Sequence, residues 1–267
     1  MRLSVDHRTV YRFSTPQSRL VQMLRMTPEN HHDQTVATWQ IHIDCDAKMR
    51  PGRDGFGNAI TMLYVEGPVN AIEIEVSGEV LTSNAQGVLN GVAEVLPPAL
   101  FLRETPLTPR DPGIRDWAAG IAAGAGREAG LRSINEALQR RFTHDHGRPT
   151  GGLDAAAAFV RDSGTSRDLA HIFVVAARSL GAPARFVSGY ALIDGEHRPT
   201  PHGWAEAFVD GVGWIAFDPC TGRSPEEDYV RVSAALDAAG AAPVAGSRLG
   251  EGNEELDVDV SVSLASS

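Results

Sequence analysis

Residues 1 to about 95 alternate polar and apolar positions with the two-residue period of half-buried strands. The stretches LSVDHRTVYRF, LVQMLRM, ATWQIHID, ITMLYVEG and AIEIEVSGEVLT each read as a short strand, and GRDGFGN supplies turn chemistry between them. Strands at this spacing predict a sandwich. The pattern breaks at VLPPALFLRETPLTPRDPG, whose five prolines mark 96–112 as a linker. Beyond Pro112 the period lengthens to that of helices. IRDWAAGIAAGAG, LRSINEALQRRF and GLDAAAAFVRD predict three, the first diluted by glycine.

The strongest helix runs from about Ser166 to Leu180. Thr165 and Asp168 are spaced as a capping pair, and Gly181 with Pro183 supplies the stop. Leu169, Ile172, Phe173, Ala176 and Leu180 make one apolar face. Val174, Val175 and Ala177 widen it nearly all round, so the helix is expected to be buried on most sides. ARFVSGYALI, HGWAEAFV and GWIAFDP predict three strands, and NEELDVDVSVSL a last one. SAALDAAGAAPVAGSRLG before it reads as a surface loop. The expected fold class is α+β: an N-terminal all-β sandwich-like module (1–95), the linker (96–112), a core of helices packed on an antiparallel sheet (113–225), and a loop with a C-terminal strand (226–267).

Composition narrows the partners. The 267 residues carry a net charge of −10 with no basic stripe, which argues against nucleic acid. Apolar runs fall far short of the roughly 20 residues of a membrane span. The opening MRLSVDHRTVYRF lacks the apolar stretch of a signal peptide. Cys45 and Cys220 lie far apart and match no zinc or disulfide framework. A cytoplasmic protein is expected, with no membrane partner.

The candidate chemistry starts at Ser166, in the first turn of the buried helix. Unpaired N–H groups and the positive end of the helix dipole favour negative charge there. His202 opens the strand HGWAEAFV and Asp218 ends GWIAFDP, so a base oriented by an acid faces a nucleophile position, the general pattern of acyl transfer. Alternation tests the idea. A two-residue turn at Asp210 and Gly211 would set His202 opposite Pro219 and send Asp218 to the other face. An odd loop returns the two side chains to one face, and DGVG can supply it as a type I turn with Gly213 left-handed.

At this point the chain resembles the bacterial transglutaminase-like proteins, relatives of papain-type cysteine peptidases with their own N-terminal β domain. HRTVYRFSTP, MRMTP and DGFGN are similar to that domain. GTSRDLAHIFVVAARSLGAPARFVSGY, HGWAEAFVDGVGWIAFDPCTG and APVAGS are similar to the core and its tail, so the resemblance spans nearly the whole chain. It implies a transglutaminase-like, papain-related core, with acyl transfer or hydrolysis at an amide or peptide bond. It places the family's nucleophile, histidine and aspartate on Ser166, His202 and Asp218. Water or an amine may serve as acceptor; no cofactor, metal or calcium loop is implied, and the partner is a peptide or amide-containing substrate.

The family's nucleophile is a cysteine in G-[VT]-C-[RQ]-D-x-A-H, and here Ser166 stands in its place. A thiol yields its proton to an imidazole and attacks as thiolate, whereas a hydroxyl must be deprotonated during the attack. Three explanations stay open: an introduced Cys→Ser change, a natural loss leaving a peptide-binding module, or a serine-type amidase with a re-tuned base. Trp204, two residues past His202 on the same face, is the candidate substrate wall, with simple packing as the alternative, and Glu206 is the runner-up orienting acid. Cys220 reads as a small buried residue rather than a displaced nucleophile. His171 reads as a satisfied core histidine, and Arg167 and Asp168 as first-turn charges. HHD at 31–33 and HDH at 144–146 read as solvated, with no third ligand to join them.

Overall fold

The computed structural model describes residues 1–192 and 197–265. The last position of the expected strand ARFVSGYALI, residue 193, and the chain's last two residues lie outside them.

The N-terminal region is built on two very long strands, β1 (Arg2–Leu24) and β4 (Ala59–Thr82), with β2 (Gln34–Ile43) and β3 (Lys48–Arg53) between them in sequence. LSVDHRTVYRF and LVQMLRM, which read as two strands, are largely one; so are ITMLYVEG and AIEIEVSGEVLT. The β1–β4 register slips between Arg12 and Gln17 and again between Gln17 and Arg19, where the ribbon bends. On one side of the bend β4 takes β2 as partner, on the other β3. Leu20, Leu24, Leu63 and Val65 from one half pack with Tyr11, Ile72, Ile74 and Val76 from the other. The sandwich-like core therefore forms within a single bent sheet.

The second region begins with a 3₁₀ turn (Pro98–Leu102), then α1 (Pro112–Ile121), α2 (Arg127–Arg141), β5 (Thr143–His144), α3 (Ala155–Phe159), β6 (Ser163–Gly164) and α4 (Ser166–Ser179). The proline-rich stretch is docked rather than free: Phe101 is buried edge-on against Trp214 at 5.2 Å, and Arg178 donates to its carbonyl. Strands β7 (Ala184–Ala191), β8 (His202–Val209), β9 (Gly213–Phe217) and β10 (Tyr229–Ala235) form an antiparallel sheet in the order β10-β7-β8-β9.

α4 forms where its caps predict. Thr165 and Asp168 close a capping box, and Gly181 ends the helix at φ +75°. Its residues 168–177 are all buried. Leu169, Ile172 and Phe173 pack on α1–α3 and on Ala205, Ala207 and Phe217 of the sheet. Each such side chain contributes roughly 1.5–3 kcal/mol by leaving water.

The chain then returns to the first sheet through β11 (Val244–Leu249) and β12 (Glu254–Leu264), which both pair with β1. The stretch expected as a surface loop, 233–250, thus ends inside two strands, β10 and β11. The core sheet also meets the N-terminal sheet: Tyr190, Val230 and Val232 share a cluster with Leu3, Val5, Val80, Val260 and Val262.

Candidate active site

The β8–β9 hairpin decides which side chains meet. Val209 pairs with Gly213, leaving a three-residue loop, Asp210 to Val212. The Val212 N–H donates to the Val209 carbonyl at 3.0 Å, and Gly211 sits at φ +81° in the third turn position. That is the glycine position of a type II turn, where the sequence suggested type I. The loop is odd, so His202, Trp204 and Asp218 share one face.

The His202 Nε2–H donates to Asp218 Oδ2 at 2.8 Å. Because a carboxylate only accepts, this bond fixes the proton on Nε2 and leaves Nδ1 as a base. Asp218 is completely buried and also accepts from the Tyr229 hydroxyl (2.6 Å) and the Cys220 amide (2.8 Å). Burial alone would raise its pKa. The attraction and hydrogen bond of His202, with those of Tyr229 and Cys220, more than offset this and hold the carboxyl below its usual range. Tyr229 comes from β10, two strands from β8 and three from β9, and nothing local in the sequence marks it as a site residue.

Ser166 is half-buried at the first position of α4, and its Oγ accepts from the Gly203 amide at 3.2 Å. The close approach depends on Gly203: a Cβ there would lie 2.6 Å from the Phe186 ring and 3.6 Å from the Arg167 Cα. Among the described residues, Ser166 Oγ has no direct hydrogen bond to His202. One backbone unit of β8 thus carries the imidazole and a donor to the hydroxyl.

The other candidates fall into place around this centre. Trp204, expected as a substrate wall, is 1% exposed; it stacks 6.2 Å from the His202 ring and meets Tyr229 edge-on at 5.5 Å, supporting the imidazole from behind. Glu206 lies away from His202, clamped by Arg185 and Arg231. His171 is 1% exposed; its Nε2 accepts from Ala238, but Nδ1 has no partner, so it is only half satisfied. His31 is likewise not solvated, since its Nε2 is sealed without a partner.

His202, Asp218 and Cys220 bring one nitrogen, one oxygen and one sulfur within 4.8 Å of each other, as a metal site would need. Burial and then the Asp218 charge push the Cys220 thiol well above its ordinary pKa. A protonated thiol beside an imidazole–carboxylate pair is a poor metal ligand, since it would have to lose its proton on binding.

A shallow cleft runs over Ser166 and His202, lined also by His144, His146, Arg198 and Thr200. HDH at 144–146, which read as solvated, therefore lies beside the centre. The His144 ring is 4.2 Å from that of His146 and 6.2 Å from that of His202.

Comparison with known proteins agrees with this architecture. A crystal structure of a Cytophaga hutchinsonii protein provisionally assigned as a cysteine protease superposes with a TM-score of 0.79, covering 100% of this chain and 91% of that one at 18% identity. An uncharacterized protein of Mycobacterium leprae is 25% identical over 283 residues, 98% of each chain. Another from Mycobacterium tuberculosis is 24% identical over 290 residues, 98% of this chain and 92% of that one. Residues 3–81 match the bacterial transglutaminase-like N-terminal region, and residues 115–219 the transglutaminase-like superfamily. With both regions matched in order along the chain, it belongs to the transglutaminase-like superfamily, with a bacterial-type N-terminal region.

Proposed function

We propose that this protein performs acyl transfer at an amide, with Ser166 attacking, His202 as general base and acid, and Asp218 holding the imidazole. The observation that carries the reading is the 2.8 Å His202–Asp218 bond, set one residue from the Gly203 amide that holds Ser166 Oγ. In attack, Ser166 Oγ bonds to the carbonyl carbon while its proton passes to His202 Nδ1 and the carbonyl π pair moves onto oxygen. Collapse expels the amine, which takes the proton from His202. Water or a second amine then accepts the acyl group. The 166 backbone N–H, at the positive end of α4, is one donor to the oxyanion. The substrate is a peptide or another amide. Among the described residues no helix is long and apolar enough to cross a membrane, and a cytoplasmic location belongs to this proposal.

One observation favours a second reading, a peptide-binding module without turnover. The Ser166 hydroxyl rests on Gly203 rather than on the imidazole, in a site whose helix terminus suits a thiolate. A peptide- and amide-substrate screen of the Ser166 and Ser166→Cys forms, with and without a fluorophosphonate, separates these. Fluorophosphonate-sensitive activity in the serine form supports Ser166 as nucleophile. Activity only in Ser166→Cys supports the acyl-transfer site with turnover lost to serine. Peptide binding with activity in neither form contradicts the acyl-transfer reading.

A further inference from the structure

The geometry points to His144 as a second donor to the oxyanion, acting with the backbone N–H of residue 166; the inference rests on the acyl-transfer reading above. An oxyanion is stabilised best by two or more prearranged donors, and the helix terminus supplies one. The cleft lining contains few other candidates. Thr165 is engaged with Asp168 in the cap, Asp145 accepts from Gly147, and Arg198 is bonded to His146. Pro201 has no N–H. Among the described residues, the His144 ring nitrogens have no hydrogen-bond partner, although the ring stands edge-on to His202 in the same cleft.

Its position is fixed by backbone, not by chance rotation of a loop. β5 and β6 pair in parallel, with His144 opposite Gly164, and the Asp145 N–H donates to the Gly164 carbonyl at 2.9 Å. Gly164 leads directly into Thr165 and Ser166, so the imidazole is tied across two residues to the nucleophile's own segment. Burial, then the neighbouring His146 and His202, push the His144 pKa down to about 4. Near neutral pH the ring is thus uncharged, with one N–H to give. A neutral imidazole can polarise a carbonyl without bringing a proton into competition with the base. As Ser166 Oγ adds to the carbonyl carbon, the π pair moves to oxygen and the His144 N–H donates to it. The hydrogen bond is released when the carbonyl re-forms.

The test uses the full chain in the Ser166→Cys form, with His144→Ala and His144→Gln, and Thr200→Val as a control for the other lining hydroxyl. Two rates are read: iodoacetamide alkylation at position 166, which builds no oxyanion, and acylation by an activated amide, which does. The expected result is a 10²–10³-fold loss of acylation for His144→Ala, partial recovery for His144→Gln, and little change in alkylation. Equal loss of both rates would make His144 merely structural and overturn the inference. An unchanged acylation rate for His144→Ala, or a loss confined to Thr200→Val, would overturn it while leaving the acyl-transfer reading intact. Absence of acylation in the His144 parent, with alkylation retained, would remove both.

Discussion

Asp218 and Glu206 belong to the same strand pair, and each is at most 1% exposed, yet they are held by different kinds of partner. Glu206 is gripped by two permanent cations: Arg185 Nε donates to it at 2.6 Å and Arg231 Nε at 2.7 Å. Arg185 also forks onto Glu94 and lies 3.9 Å over the Trp214 ring. Burial opposes the Glu206 charge, but the two guanidiniums bring its pKa down to about 2. Asp218 instead meets an imidazole, a phenol and an amide, none of which is permanently charged. The imidazole can gain and lose a proton, and its other nitrogen faces the cleft side of the strand. A buried carboxylate becomes a brace or a working part according to whether its partners can change charge.

The comparison can be broken at either end. The largest expected effect is on the Asp218 side. Asn there keeps the shape but no longer fixes the proton on Nε2, so acylation in the Ser166→Cys form should fall by about 10⁴-fold with little change in unfolding midpoint. Steady-state kinetics and urea melts together check this. Loss of fold with Asp218→Asn would make the residue a brace like Glu206.

Glu206→Ala should do the opposite. It leaves the half-buried Arg231 without its carboxylate and the buried Arg185 with Glu94 alone, costing about 3–5 kcal/mol in urea unfolding, while alkylation at position 166 per folded molecule stays within a few-fold. A large drop in reactivity with unchanged stability would exchange the two roles.

The smallest effect sets the buried histidines against Glu206 by pH. His7 and His171 are buried, and desolvation holds both near a pKa of about 4. Between pH 6.5 and 4 the unfolded chain binds protons there and the folded one does not, so stability falls as pH drops through that window. Each contributes up to about 3 kcal/mol. The contribution of Glu206, whose pKa is depressed, is present above about 4.5 and is lost only further down, toward about 2. Urea midpoints at pH 7 and 5 should therefore differ mainly through histidines, and His171→Gln should reduce the difference.

What was legible in the sequence was local. Thr165 and Asp168 lie three apart and cap α4; Gly181 ends it; the odd hairpin loop follows from counting DGVG. The continuity of β1 and β4 was not legible, because FSTPQS and EGPVN, where the register between the two strands slips, look like turns. Tyr229 reaches Asp218 only through the order β10-β7-β8-β9, which no short window contains. His144 is placed by two strands of two residues each, too short to leave a periodic trace. Trp204 was assigned to the correct strand face, but its ring is buried among Val187, Ala191, Ala216, Tyr229 and Ala234 rather than open to substrate.

The central claim is that positions 166, 202 and 218 act as one unit. It is tested most directly by the pH dependence of iodoacetamide alkylation at position 166 in Ser166→Cys, compared with Ser166→Cys/His202→Ala, and followed peptide by peptide to exclude Cys45 and Cys220. The account predicts fast alkylation with an apparent pKa at least one unit below the ordinary thiol value of about 8.5, rising back toward it when His202 is removed. An ordinary thiol profile that does not respond to His202→Ala would contradict it.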